Sequence, residues 1–119
     1  MSAASAGHAA QASGGWGRLT LMEQLAHVGS EVDRAIRAHQ SGRIQRREHA
    51  ITRALELFDL VGADERWRGP ARRETRRARE IFCSLFFGED VEPEEGTSLQ
   101  KYFLQFAVAA RHASSGGQT

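Results

Sequence analysis

Cysteine is almost absent from this chain: Cys83 stands alone among 119 residues. An intramolecular disulfide is impossible, and a thiolate-built metal cluster is excluded. Lysine is equally scarce, with Lys101 set against 15 arginines, and proline occurs only at Pro70 and Pro93. No apolar run approaches the roughly 18 residues that a membrane-spanning helix needs. The N-terminus has no basic region followed by an apolar run, so it does not read as a secretory signal, and a cytoplasmic protein is expected. Net charge is only +1, so no global field commits the chain to nucleic acid. Alternating strand patterns and internal repeats are missing too.

What is present is helical periodicity. Thr20 and Glu23 have the spacing of a capping box, in which two backbone donors at a helix start are satisfied reciprocally. Leu21, Leu25, Val28, Val32, Ile36 and His39 then step by threes and fours along one stripe. This predicts a first helix over Leu21–Gln40, stopped by Gly42 in a left-handed conformation. Gly29 lies beside the stripe. A mid-helix glycine costs roughly 1 kcal/mol against alanine, which suggests close approach of another helix.

A second helix is expected over 45–61, on Ala50, Ile51, Ala54, Leu55, Phe58 and Val61, ended by Gly62. Pro70 suits the first turn of a third helix because its missing N–H has no partner there anyway. That helix reads as Pro70–Phe87, ended by Gly88, with Ala71, Ala78, Phe82, Leu85 and Phe86 inward. An acidic loop over 88–96 carries Glu89, Asp90, Glu92, Glu94 and Glu95. A fourth helix is expected to open at Thr97 with Gln100 in capping-box spacing. It is nearly apolar all round from Tyr102 to Ala110, the mark of a helix buried on most sides or at a subunit interface.

The expectation is therefore an all-α chain: one four-helix, mainly antiparallel bundle over 16–112. The stretches 1–15 and 113–119, made of small and polar residues, bury too little to offset their ordering entropy and are expected to be disordered tails.

The strings Met22-Glu23-Gln24-Leu25, Gly29-Ser30-Glu31-Val32, Arg53-Ala54-Leu55-Glu56-Leu57, Arg79-Glu80-Ile81 and Tyr102-Phe103 through Arg111 resemble a family of small all-helical bacterial proteins of unassigned function. The resemblance covers most of 16–111. It implies the bundle and no activity.

Three chemistries can be weighed. Helical ribonuclease domains of the HEPN superfamily place an Arg and a His four to six residues apart, where His shuttles a proton and Arg stabilises the charge on phosphorus. Arg34 with His39 and Arg43 with His49 have that spacing. Yet so many arginines and histidines give roughly two such pairs by chance, and Ala35 and Ile44 follow the arginines where that superfamily favours a small polar residue.

The second chemistry is phosphate binding. Residues 43–79 hold 11 arginines against six acids, and Arg72, Arg73, Arg76 and Arg77 crowd the third helix. Arginine's planar fork suits phosphate. A solvated face neutralised by neighbouring acids is the plainer reading.

The third is a structural polar network of Glu31, Arg34, Arg53, Glu56, Arg76, Arg79 and Glu80 at the borders of the apolar stripes. Arg79 is expected to reach a carboxylate on another helix, Glu31 or Glu56 foremost. Bundle di-metal sites typically need Glu-x-x-His pairs. The sequence has none, so neither metal nor cofactor is expected. Cys83 reads as a buried structural thiol, and Trp16 and Trp67 as clamps on the bundle ends.

No nucleophile is placed with a base. The leading expectation is a non-enzymatic interaction module whose partner is a second copy or another protein. An RNA-binding or RNA-cleaving domain is the alternative.

Overall fold

The computed structural model describes residues 15–88 and 93–117. The stretch 1–14 and the acidic residues Glu89, Asp90 and Glu92 lie outside the described residues. A short 3-10 turn, Trp16–Arg18, leads into α1 (Leu21–Gln40), α2 (Ile44–Ala63), α3 (Pro70–Phe87) and α4 (Pro93–Gly117). The four helices form an antiparallel bundle, with no strand among the described residues.

Helix α1 starts where its caps dictate. Thr20 Oγ1 accepts from the Glu23 N–H at 3.2 Å, and Glu23 Oε1 accepts from the Thr20 N–H at 2.9 Å. Its end is a Schellman turn: Arg43 N–H donates to the Ala38 carbonyl and Gly42 N–H to that of His39. Gly42 sits at φ +70, a conformation that costs glycine little. Only Ser41, Gly42 and Arg43 separate α1 from α2, so the chain folds straight back.

Helix α1 is the hub. It packs broadly against both α2 and α4, whereas α3 touches α2 and α4 more sparingly. Val28, Val32 and Ala35 are fully shielded. At Gly29 an added Cβ would stand 2.7 Å from Phe103 Cβ, so the missing side chain lets α4 cross there. The Phe58 ring joins the remaining helices, with Phe82 at 5.8 Å and Phe103 at 5.9 Å.

The boundaries differ from expectation at several points. Helix α2 runs through Gly62 to Ala63. Gly88 ends α3 where expected, in an extended conformation. It is needed for space, since a Cβ there would lie 2.5 Å from the Ser84 carbonyl oxygen. Helix α4 starts at Pro93, not at Thr97. Pro93 opens the first turn, and Glu94 and Glu95 complement the helix dipole there. Gln100 does not cap. Its Nε2 donates to Asp33 Oδ1 on α1 at 2.8 Å. The α4 backbone stays helical to Gly117, beyond the boundary at residue 113. Helix α4 is also not buried all round: Leu99, Phe103 and Phe106 face the core, but Leu104 and Val108 are 57% and 38% exposed.

Candidate functional site

One end of the bundle is closed by a polar clamp. Gln24 lies in the first turns of α1, on the same stripe as Leu21 and Val28, and is completely buried. Its Nε2 donates to the Trp16 carbonyl at 3.0 Å and to Asp64 Oδ2 at 3.1 Å. Its Oε1 accepts from Trp67 Nε1 at 2.8 Å. Asp64 accepts from the Arg66 side chain at 3.0 and 2.7 Å and from the Arg66 N–H at 3.0 Å. The Arg66 guanidinium stacks over the Trp67 ring, 4.4 Å from its centroid. The Arg66 hydrogen bonds, with help from Gln24 and against the opposing effect of burial, hold the Asp64 carboxyl far below the ordinary carboxylate range.

A group depressed in this way stabilises the fold above its unfolded-state pKa, near 3.9, and that contribution fades as pH falls further. Melting curves should therefore show an acid limb beginning near about pH 4, and Asp64→Asn should flatten it. An unchanged limb would mean that Asp64 is not linked to folding. The clamp is a structural device: Gln24 ties together the Trp16 carbonyl, Asp64 and Trp67, and Asp64 holds Arg66, while the buried Trp16 Nε1 has no hydrogen-bond partner among the described residues.

Two grooves flank α1. Between α1 and α4 lies a shallow one of about 450 Å³, lined by Ala26, Gly29 and Ser30 on one side and by Phe103, Leu104 and Ala107 on the other. Between α1 and α2 lies a larger one of about 790 Å³. Its side chains include Arg34, Arg37, Arg43, Arg46, Arg53 and His49, with Glu31 the only acid among them. The spacing explains the convergence. Residues 43, 46, 49 and 53 step by three or four along α2, and 34 and 37 do so along α1, so each set shares a face. The Gly42 turn then brings the two faces together.

Inside this groove Glu31 pairs with Arg34 at 2.6 Å. Arg37 reaches Asp33 at 2.8 Å, and Arg53 lies 3.6 Å from Glu56. Arg43 and Arg46 are exposed and have no carboxylate partner among the described residues. The two Arg–His pairs fare differently. Arg43 and His49 line the same groove. Arg34 lines it as well, but His39 turns its ring edge-on to Phe86 on α3, with centroids 5.9 Å apart.

Within the expected polar network, Glu31 pairs with Arg34 and Glu56 with Arg53, both i,i+3 pairs on one helix. Arg79 does reach across, but to Asp59 on α2, at 3.3 Å from Nε, rather than to Glu31 or Glu56. The reason is packing order: α3 lies against α2 and α4 and has little contact with α1, and Asp59 stands on the α2 face that α3 meets. Arg79 Nη1 also lies 4.0 Å from Cys83 Sγ, so the thiol is half-buried beside a cation rather than sealed in the core.

The third-helix arginines do not form one basic face. Arg72, Arg76 and Arg79 line a cleft with Asp59 and Glu80, while Arg77 lies in an α3–α4 cleft with Glu74, Glu94 and Glu95. Arg72 donates to the Asp64 carbonyl at 3.2 Å, and Arg73 is exposed. In the α3–α4 cleft Tyr102 donates to Glu74 Oε1 at 2.6 Å, and burial with the adjacent carboxylate pushes its phenol well above its usual pKa. No group of three or more potential metal ligands exists among the described residues. Among them, no helix is long and apolar enough to cross a membrane.

Comparison with known protein families, curated proteins and solved structures returned no match.

Proposed function

We propose that this chain is a non-enzymatic interaction module that self-associates through the outer face of α1 and α4. The carrying observation is the pairing of a knob with a hole on one surface. Leu104 and Val108 stand one turn apart and exposed on α4, and the shallow groove floored by Ala26, Gly29 and Ser30 opens beside Leu104. A two-fold axis through such a face sets each copy's Leu104 into the other's groove, the self-complementarity that an isologous interface requires. Asp33, Arg37 and Lys101 give the patch a polar rim, as in known interfaces.

Sedimentation across a concentration series tests this. A dimer is expected for the native chain. Leu104→Arg with Val108→Arg should weaken association by about thirtyfold or more, equivalent to about 2 kcal/mol, with helix content unchanged. A native chain that stays monomeric at high concentration refutes the reading.

A further inference from the structure

We infer that the α1–α2 groove binds the phosphodiester backbone of double-helical nucleic acid, without reading sequence. This is independent of self-association, and it uses other residues than the third-helix arginines to which phosphate chemistry was first attached.

The argument begins with charge segregation. The chain as a whole carries +1, but its clefts do not share that balance. Five arginines line the α1–α2 groove against Glu31 alone. The α3–α4 cleft holds the reverse, Glu74, Glu94 and Glu95 against Arg77. The α2–α3 cleft is mixed, with Arg72, Arg76 and Arg79 facing Asp59 and Glu80. One concave surface has thus collected cations in excess of the acids that line it.

The kind of cation narrows the ligand. Guanidinium forks present paired donors that match phosphate oxygens, where an ammonium is a point charge. Among the described residues, Arg43 and Arg46 have no carboxylate to release before they bind. Arg34 and Arg37 are 69% and 74% exposed at the side chain even in their ion pairs, so those pairs exchange readily for an incoming phosphate. The cations are spread over two helices and a turn. That distribution fits a run of phosphates better than a single anion.

The rest of the lining excludes competitors. Ala38, Ser41, Gln45, His49 and Ala50 complete it, with no Phe, Tyr or Trp ring. Single strands are typically held by successive bases stacked on aromatic side chains, and the lone His49 imidazole offers no such row. A protein partner would want a pocket for an apolar anchor at the centre of the interface, and Ala38 and Ala50 provide none. A duplex, which offers its backbone and keeps its bases inside, asks only for positioned cations.

The test reverses the charge at Arg43 and Arg46, where the fold tolerates acids. Arg43 is the N-cap of α2 and makes no side-chain cap, and Arg46 lies in a first turn that contains no acidic residue. Acids at both positions favour a helix start, so Arg43→Asp with Arg46→Glu should melt at or above the native temperature. Fluorescence anisotropy with labelled RNA and DNA duplexes of one sequence, in a salt series, supplies the readout. Binding of at least one duplex is expected, with log affinity falling linearly against log salt. Each phosphate contact adds about −0.9 to that slope. The double variant should lose about tenfold or more at low salt and flatten the slope by about 2.

The tighter duplex identifies the natural helix. Arg73→Glu with Arg77→Glu, a charge-matched change on α3, should alter affinity by less than about twofold. Three results overturn the inference: neither duplex binding in a salt-dependent way, both double variants weakening binding alike, or polyglutamate binding as tightly as the duplexes.

Discussion

Gln24→Leu is expected to destabilise the fold by about 3 kcal/mol, although leucine has nearly the same volume and fills the same space. The glutamine is fully buried and makes three hydrogen bonds. Its removal leaves Trp67 Nε1 without a partner, at about 1–3 kcal/mol, and takes one hydrogen bond, worth about 1 kcal/mol, from each of Asp64 and the Trp16 carbonyl, which keeps the Leu19 N–H. Added apolar contact offsets part of this. In a domain of this size the loss corresponds to a fall of roughly 15 °C in melting temperature. A change within about 3 °C would mean that water replaces the amide and that the clamp holds the fold only weakly.

Phe58→Ala should cost more, about 3–5 kcal/mol, because a transfer loss and a cavity add together. Phe58 is 2% exposed, and its ring lies between Phe82 and Phe103. The void therefore opens where α2, α3 and α4 meet, and no single helix can shift to close it without leaving another. Against a typical total stability of about 5–15 kcal/mol, this single change removes a large share. Urea denaturation gives the measure: the midpoint should drop with the slope preserved, since the surface exposed on unfolding is nearly unchanged. A loss below about 1 kcal/mol would show that the three-ring junction repacks freely.

Local chemistry made some elements readable in the sequence. The capping box at Thr20, the left-handed Gly42 and Pro70 at a first turn each act within four residues, so α1 and the start of α3 stand where they were expected. The start of α4 was obscured because Pro93 among acids reads equally as solvated loop and as helix opening, and the capping-box spacing of Thr97 and Gln100 competed with it. Its true role for Gln100, a bond to Asp33 on α1, depends on a partner 67 positions away.

Gln24 did leave a signal, a polar residue three from Leu21 and four from Val28 on an otherwise apolar stripe. Its partners, the turn at Trp16 and the α2–α3 connector, are visible only after folding. The basic groove was missed for a related reason. Counting arginines from residue 43 onward left out Arg34 and Arg37, which join the set only when the Gly42 turn folds α2 back on α1. Arg79 was placed at a boundary from its position on the helical wheel. The identity of its partner depended on which helices α3 touches, a property of the whole bundle.

The clamp has an optical consequence. Trp16 and Trp67 are the chain's only tryptophans, and both bond to the same glutamine, one through its carbonyl and one through its indole. Tryptophan emission therefore comes wholly from the end of the bundle where α1 begins. The basic groove occupies the second half of α1 and the first part of α2 and contains no chromophore. Tyr102, the single tyrosine, views a third region from its bond to Glu74 between α3 and α4. A tryptophan signal that moves before the far-ultraviolet circular dichroism marks the clamp opening while the helices remain intact. A ligand that fills the groove can leave that emission unchanged, so binding there has to be followed through a label on the ligand.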